Sequence, residues 1–95
     1  MTMVVEAWGN PLPFLRWYRD GQPLDGVQEC RITQMGPPLE DVTETQETPV
    51  RMTGQLIINE IFPDDAGMYT CVAENTVGVA ETATQVDVIQ TRKLL

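Results

Sequence analysis

Fourteen carboxylates and two thiols are the groups in this chain with chemistry to offer, and no histidine accompanies them. Histidine is the usual general base near neutral pH and the commonest metal ligand, so most acid–base and metal chemistry loses its main actor. Cys30 and Cys71 have no imidazole to form a nucleophilic pair with, and two cysteines are too few for a structural zinc site. Asp64 and Asp65 form a carboxylate pair in sequence, but neighbours in a strand or corner point apart. Gly36 and Gly54 stand alone, so no glycine-rich phosphate loop exists. The reading is a non-enzyme with no cofactor and no metal.

Charge narrows the partners. The net charge is −8, with six basic residues that cluster only at Arg92-Lys93. Nucleic acid and anionic membrane surfaces are both recognised by concentrated Lys and Arg, so neither is an expected partner. No apolar run is long enough to cross a membrane, and membrane insertion is not expected. The densest acidic stretch, with Glu40, Asp41, Glu44 and Glu47, is one candidate contact for a basic protein, set against a plain solvated loop. Trp8 is the other candidate contact. It sits in a turn-like stretch before Pro11 and Pro13, and it either folds onto those prolines or stays exposed as a binding aromatic.

The elements that position these groups are strands. Thr2 to Ala7 alternates and runs into the turn residues Gly9-Asn10-Pro11-Leu12-Pro13. Phe14 to Arg19 alternates with Leu15 and Trp17 on one face, and Asp20-Gly21 then signals a hairpin into a short edge piece at Gln22-Pro23-Leu24. Glu29 to Gln34 reads as a strand, and Gln55 to Asn59 as another with Leu56 and Ile58 inward. In Asp65-Ala66-Gly67-Met68-Tyr69-Thr70-Cys71-Val72-Ala73, alternation puts Tyr69, Cys71 and Ala73 on one face, while Gly67 frees the backbone for a corner. A last strand is expected to turn Thr82, Thr84, Val86 and Val88 inward.

The Asp-x-Gly-x-Tyr-x-Cys string, Trp17-Tyr18 followed by Asp20-Gly21, Leu56 with Ile58, and the Asn75-Thr76-Val77-Gly78 turn resemble I-set immunoglobulin-like domains. Domains that it resembles occur in titin, the palladin and myotilin group, obscurin and muscle-associated kinases. The resemblance implies an all-β, two-sheet sandwich with Greek-key connections over residues 1–90, with 91–95 as a tail or linker. Trp17 becomes the core tryptophan, and Tyr69 the corner tyrosine whose hydroxyl bonds back to the turn. Val5, Leu15, Trp17, Leu56, Ile58, Asp65, Gly67, Tyr69, Cys71 and Ala73 form the expected structural core. Asp65 is expected to pair with an arginine, Arg31 or Arg51.

Three departures from the pattern matter. Between Met35 and Thr53 the resemblance lapses into an acidic insertion. The strand B cysteine position is filled by Val5, which leaves Cys71 without its cross-sheet partner, and Cys30 falls on the far side of the expected core. Unpaired thiols, with no Asn-x-Ser/Thr acceptor in the chain, point to a reducing compartment. Strand A, which precedes strand B in such domains, has no counterpart in these residues, so the strand B edge is expected to be open to pairing with another molecule. The expected function is a protein-interaction and structural module of an intracellular cytoskeletal or sarcomeric scaffold, meeting neighbouring domains and protein partners, with a strand-exchanged or edge-paired homodimer among the expected assemblies. The alternative is an extracellular recognition domain of a cell-surface receptor or adhesion protein.

Overall fold

The computed structural model describes residues 1–36 and 50–87. Seven strands lie in it: β1 (Thr2–Gly9), β2 (Phe14–Arg19), β3 (Gln22–Pro23), β4 (Cys30–Met35), β5 (Val50–Ile58), β6 (Gly67–Glu74) and β7 (Val79–Val86). They form two sheets, one ordered β1-β5-β4 and the other β3-β2-β6-β7, with the described pairings antiparallel. In the lettering of the fold these are B-E-D and C′-C-F-G, the two layers of an immunoglobulin sandwich.

Alternation builds the core between the layers. β2 contributes Leu15 and Trp17, β5 contributes Val50, Leu56 and Ile58, and β6 contributes Tyr69 and Cys71, all buried. Leu24, just past the edge piece, is buried too. Its N–H donates to the Trp17 carbonyl at 3.0 Å, which carries the β2–β3 pairing one residue further. Val5, Ala7, Ala73 and Ile32 pack around this cluster half-buried. At Gly54 a Cβ would lie 2.4 Å from Leu15 Cδ1 of the other layer, so no larger residue fits without the leucine moving.

Two strands run further than their sequence suggests. β1 continues through Trp8 to Gly9, pairing Trp8 with Arg51, so Trp8 belongs to a strand and not to the turn. It is 60% exposed, on the outward face shared with Val4 and Glu6. The turn that follows starts at Asn10, whose peptide bond to Pro11 is cis. β5 begins at Val50, so residues 50–52 are sheet rather than insertion, and Met35 at the other side ends β4. The physical reason is Val50 and Met52, which continue the inward alternation of β5 beyond its obvious apolar segment.

The last strand departs from expectation differently. The register of β7 on β6 sets Thr82 opposite Cys71 and Thr84 opposite Tyr69, hence on the core side. Both are nevertheless exposed, and Val86 alone in β7 is half-buried. Alternation chose the face correctly, but no described element covers it. Val88 lies outside the described residues.

Candidate interaction surface

The corner before β6 is held by several hydrogen bonds and an ion pair. A 3-10 turn over Pro63–Asp65 leads into it. Tyr69 donates its hydroxyl to the Asp65 carbonyl at 2.5 Å, tying the strand to the turn four residues back. The Asp65 carboxylate accepts the Phe62 N–H at 2.8 Å through Oδ2 and faces Arg19 Nη1 at 3.5 Å through Oδ1. The partner arginine is therefore Arg19, neither Arg31 nor Arg51. Arg19 lies opposite Tyr69 in the β2–β6 register, directly beside the corner. Arg31 sits on the exposed face of β4, and Arg51 pairs with Glu6 at 3.7 Å. The Tyr69 hydroxyl, with help from Asp65 and Asp20, holds the Arg19 guanidinium more firmly protonated than usual. Burial pushes the Tyr69 phenol up, against the pull of Arg19. Gly67 adopts φ 154°, and a Cβ there would meet the Asp20 carboxylate at 2.6 Å. Asp20 uses that approach to accept the Met68 N–H at 2.9 Å.

Sandwiches have two open sides, and here they differ. On the β2/β4 side, Gln34 of β4 reaches across to the other sheet. Its Oε1 accepts the Leu15 N–H at 3.0 Å and its Nε2 donates to the Leu15 carbonyl at 2.8 Å. Leu15 sits beyond the short β3, so its backbone has no strand neighbour on that side among the described residues, and the amide takes the neighbour's place. On the β1/β7 side the cross-sheet bond among the described residues lies at one end, where Asn75 Nδ2 of the β6–β7 hairpin donates to the Pro11 carbonyl. Each of these strands has one neighbour among the described residues, β5 and β6 respectively.

The backbone groups that turn away from their strand neighbours among the described residues can be assigned. Met1 and Ile58 exchange two hydrogen bonds, so alternation turns the N–H and C=O of Thr2, Val4, Glu6 and Trp8 away from β5. At the β6–β7 hairpin the Asn75 N–H donates to Gly78 C=O at 3.1 Å, which by the same alternation turns those of Val79, Glu81, Ala83 and Gln85 to the free edge. Between the two edges opens a cleft of about 560 Å³. Among the described residues, Val5, Ala7, Cys71 and Ala73 give it an apolar lining, and Glu6 and Glu81 are charged. Trp8 also lines it, near the β6–β7 hairpin. That hairpin is held by Asn75, whose Oδ1 accepts the Val77 and Gly78 N–H groups while Nδ2 donates to the Pro11 carbonyl at 2.8 Å.

Val5 and Cys71 thus line one cleft from different sheets, and Cys71 and Cys30 are both free thiols. Burial alone pushes the Cys71 thiol up to about 11, and burial is also the main cause of the rise at Cys30. Neither is a poised nucleophile, since the thiolate is the reactive form. Among the described residues no cluster of three or more His, Cys, Asp or Glu could hold a metal ion, and no helix is long and apolar enough to cross a membrane. Of the candidate partner residues, Trp8 lies at the cleft, whereas Glu40, Asp41, Glu44 and Glu47 lie outside the described residues. Arg19, Gln34 and Asn75 acquire their roles from residues 46, 19 and 64 positions away, and the sole local signal was the Asn-x-x-Gly turn around Asn75.

This arrangement of sheets, corner and core tryptophan defines an immunoglobulin-type sandwich, and the chain belongs to the Immunoglobulin I-set domain family, which it matches over residues 1–88. Its relatives divide between two settings. Mouse myopalladin is 34% identical over 80 residues, 84% of this chain and 6% of that protein. The muscle M-line assembly protein unc-89 of Caenorhabditis elegans is 34% identical over 94 residues, 99% of this chain and 1% of that protein. Chicken sidekick-1 is 33% identical over 88 residues, 93% of this chain and 3% of that protein. The chain therefore spans under a tenth of each of these relatives. Among solved structures, the titin domains Z1Z2 in complex with telethonin superpose with a TM-score of 0.65 at 25% identity, covering 94% of this chain and 39% of that one.

Proposed function

We propose that this I-set domain is a non-catalytic protein-interaction and structural module of a larger intracellular scaffold of the cytoskeletal or sarcomeric kind. Its extent is residues 1–90, with 91–95 as a tail or linker, and its sheet edges and end loops meet neighbouring domains and protein partners. The observation that carries the reading is the unpaired Cys71, which shares its cleft with Val5 where a cross-sheet bond would need a second cysteine. A sandwich that does without this bond forgoes about 2–5 kcal/mol, a loss tolerated where thiols stay reduced in any case. Similarity to myopalladin and unc-89 supports the same setting. Similarity to sidekick-1 favours a second reading, a recognition domain of a cell-surface protein.

A thiol count separates them. The protein is equilibrated in an oxidising glutathione buffer, denatured, alkylated and weighed intact. The intracellular reading expects both cysteines unpaired with each other, each carrying alkyl or glutathione. A monomer lacking two hydrogens and any adduct would mean a Cys30–Cys71 bond, and the cell-surface reading would replace it.

A further inference from the structure

We infer that the outer face of the β2-β6-β7 layer is a self-association surface, on which a second copy of this chain packs face to face about a twofold axis running along β6. The inference deepens the reading of the chain as an interaction module and holds in either compartment. The face does not depend on what stands at the sheet edges, because a strand that joins an edge extends the sheet in its own plane. The chain between Met35 and Val50 leaves from and returns to the other sheet. Register sets out the face in rows. Phe14, Glu74 and Val79 form one row, Arg16, Val72 and Glu81 the next, and Tyr18, Thr70 and Ala83 a third. These side chains point away from the core, and Phe14 and Val79 are 56% and 65% exposed.

Charge and shape select the occupant. Arg16 stacks over the Phe14 ring at 5.7 Å, which holds its guanidinium on the face. No ion pair among the described residues engages Arg16, Glu74 or Glu81. A twofold axis along β6 exchanges the flanking strands β2 and β7. Facing sheets keep their strand directions within about 30°, so rows near the axis stay opposite one another. Arg16 of each copy then meets Glu81 of the other, and Val72 meets its own copy at the centre. Phe14 meets Val79 in the row on one side, and Tyr18 meets Ala83 in the row on the other, each a ring against a smaller aliphatic group. Glu74 meets its own copy, and this like-charge contact weakens the pairing. A row made of a cation, an apolar centre and an anion is its own complement, which is what an isologous interface requires. Three strands make a small face, so the association is weak and transient.

The test uses the 95-residue protein in reducing buffer, so that no dimer is a disulfide. Salt is kept at about 0.15 M, where repulsion between two chains of −8 is screened beyond about 8 Å. Sedimentation equilibrium should show a reversible monomer–dimer equilibrium at protein concentrations up to about 1 mM. The NMR signals of Phe14, Val72 and Val79 should move as the concentration rises. Arg16→Glu and Glu81→Arg should each weaken the dimer by about tenfold or more. Mixed one to one, the two variants should bind each other as the parent binds itself, because each contact between positions 16 and 81 is again opposite in sign. A chain carrying both exchanges keeps the net charge at −8 and should likewise dimerise. Glu74→Gln should tighten the dimer more than Asp25→Asn, which removes a charge from the turn after β3, away from the face. The inference is overturned if the protein stays monomeric throughout, or if the Phe14 and Val72 signals do not respond to concentration. It is also overturned if the single exchanges leave the dimer unchanged, if neither the mixture nor the doubly exchanged chain recovers what they lose, or if Glu74→Gln and Asp25→Asn act equally. Any of these failures, beside two unpaired thiols, removes this face as the site and leaves the scaffold reading standing.

Discussion

Cys71 shows how one buried side chain couples burial to pH. The thiol is 2% exposed and its ionisation lies near 11, against an ordinary value of 9.0, because the thiolate is costly away from water. The folded form therefore holds its proton more tightly than the unfolded form. The stabilisation is complete below the unfolded value and disappears as pH climbs from about 9 through the folded value near 11. Two units correspond to roughly 2–3 kcal/mol. Tyr69 shifts in the same direction and contributes to the same decline. A comparison with Cys71→Ala isolates the thiol: urea titrations from pH 8 to 11 should show the parent losing about 2 kcal/mol more than the variant. Parallel curves would mean that Cys71 ionises as easily folded as unfolded.

Among the elements, β4 acts at a distance through one amide. Gln34 supplies both the acceptor and the donor that Leu15 lacks at its open edge, and Leu15 is 1% exposed, so water is a poor substitute. Gln34→Leu keeps the size and removes both bonds, stranding one N–H and one C=O. At about 1–3 kcal/mol for each buried group left unsatisfied, the variant should lose about 2–6 kcal/mol of unfolding free energy. Thr33→Val, on the solvent side of the same strand, should change it by less than about 0.5 kcal/mol. Equal losses from both would show that β4 is sensitive as a strand and that the amide bridge has no special role.

Over the whole molecule, charge is the dominant feature. Fourteen carboxylates stand against six basic groups, and the described residues contain two ion pairs, both partly or largely solvent-exposed. Self-repulsion favours the expanded chain, and salt screens it over about 30 Å at 0.01 M but about 8 Å at 0.15 M. Sodium chloride added across that range should raise the urea midpoint of unfolding. A midpoint that falls with salt would mean that attractive pairs such as Arg19–Asp65 outweigh the repulsion.

Much of the fold was legible in the chain because its signals are local. Alternation marked the inward residues of β2, β5 and β6, Asp20-Gly21 turned a hairpin with φ positive at both residues, and the Tyr69 hydroxyl reaches a carbonyl only four residues away. Interactions that depend on register between distant strands were not legible. Nothing near Asp65 selects Arg19 over Arg31 or Arg51; the choice is made when β2 pairs with β6 and brings Arg19 opposite Tyr69. Gln34 looked like the polar end of a strand until the second sheet placed Leu15 within its reach. The threonines of β7 mark the boundary most clearly. Period two determines which face a side chain takes, but whether that face is covered depends on which strands the sheets bring alongside, and here the tertiary structure left Thr82 and Thr84 in the open.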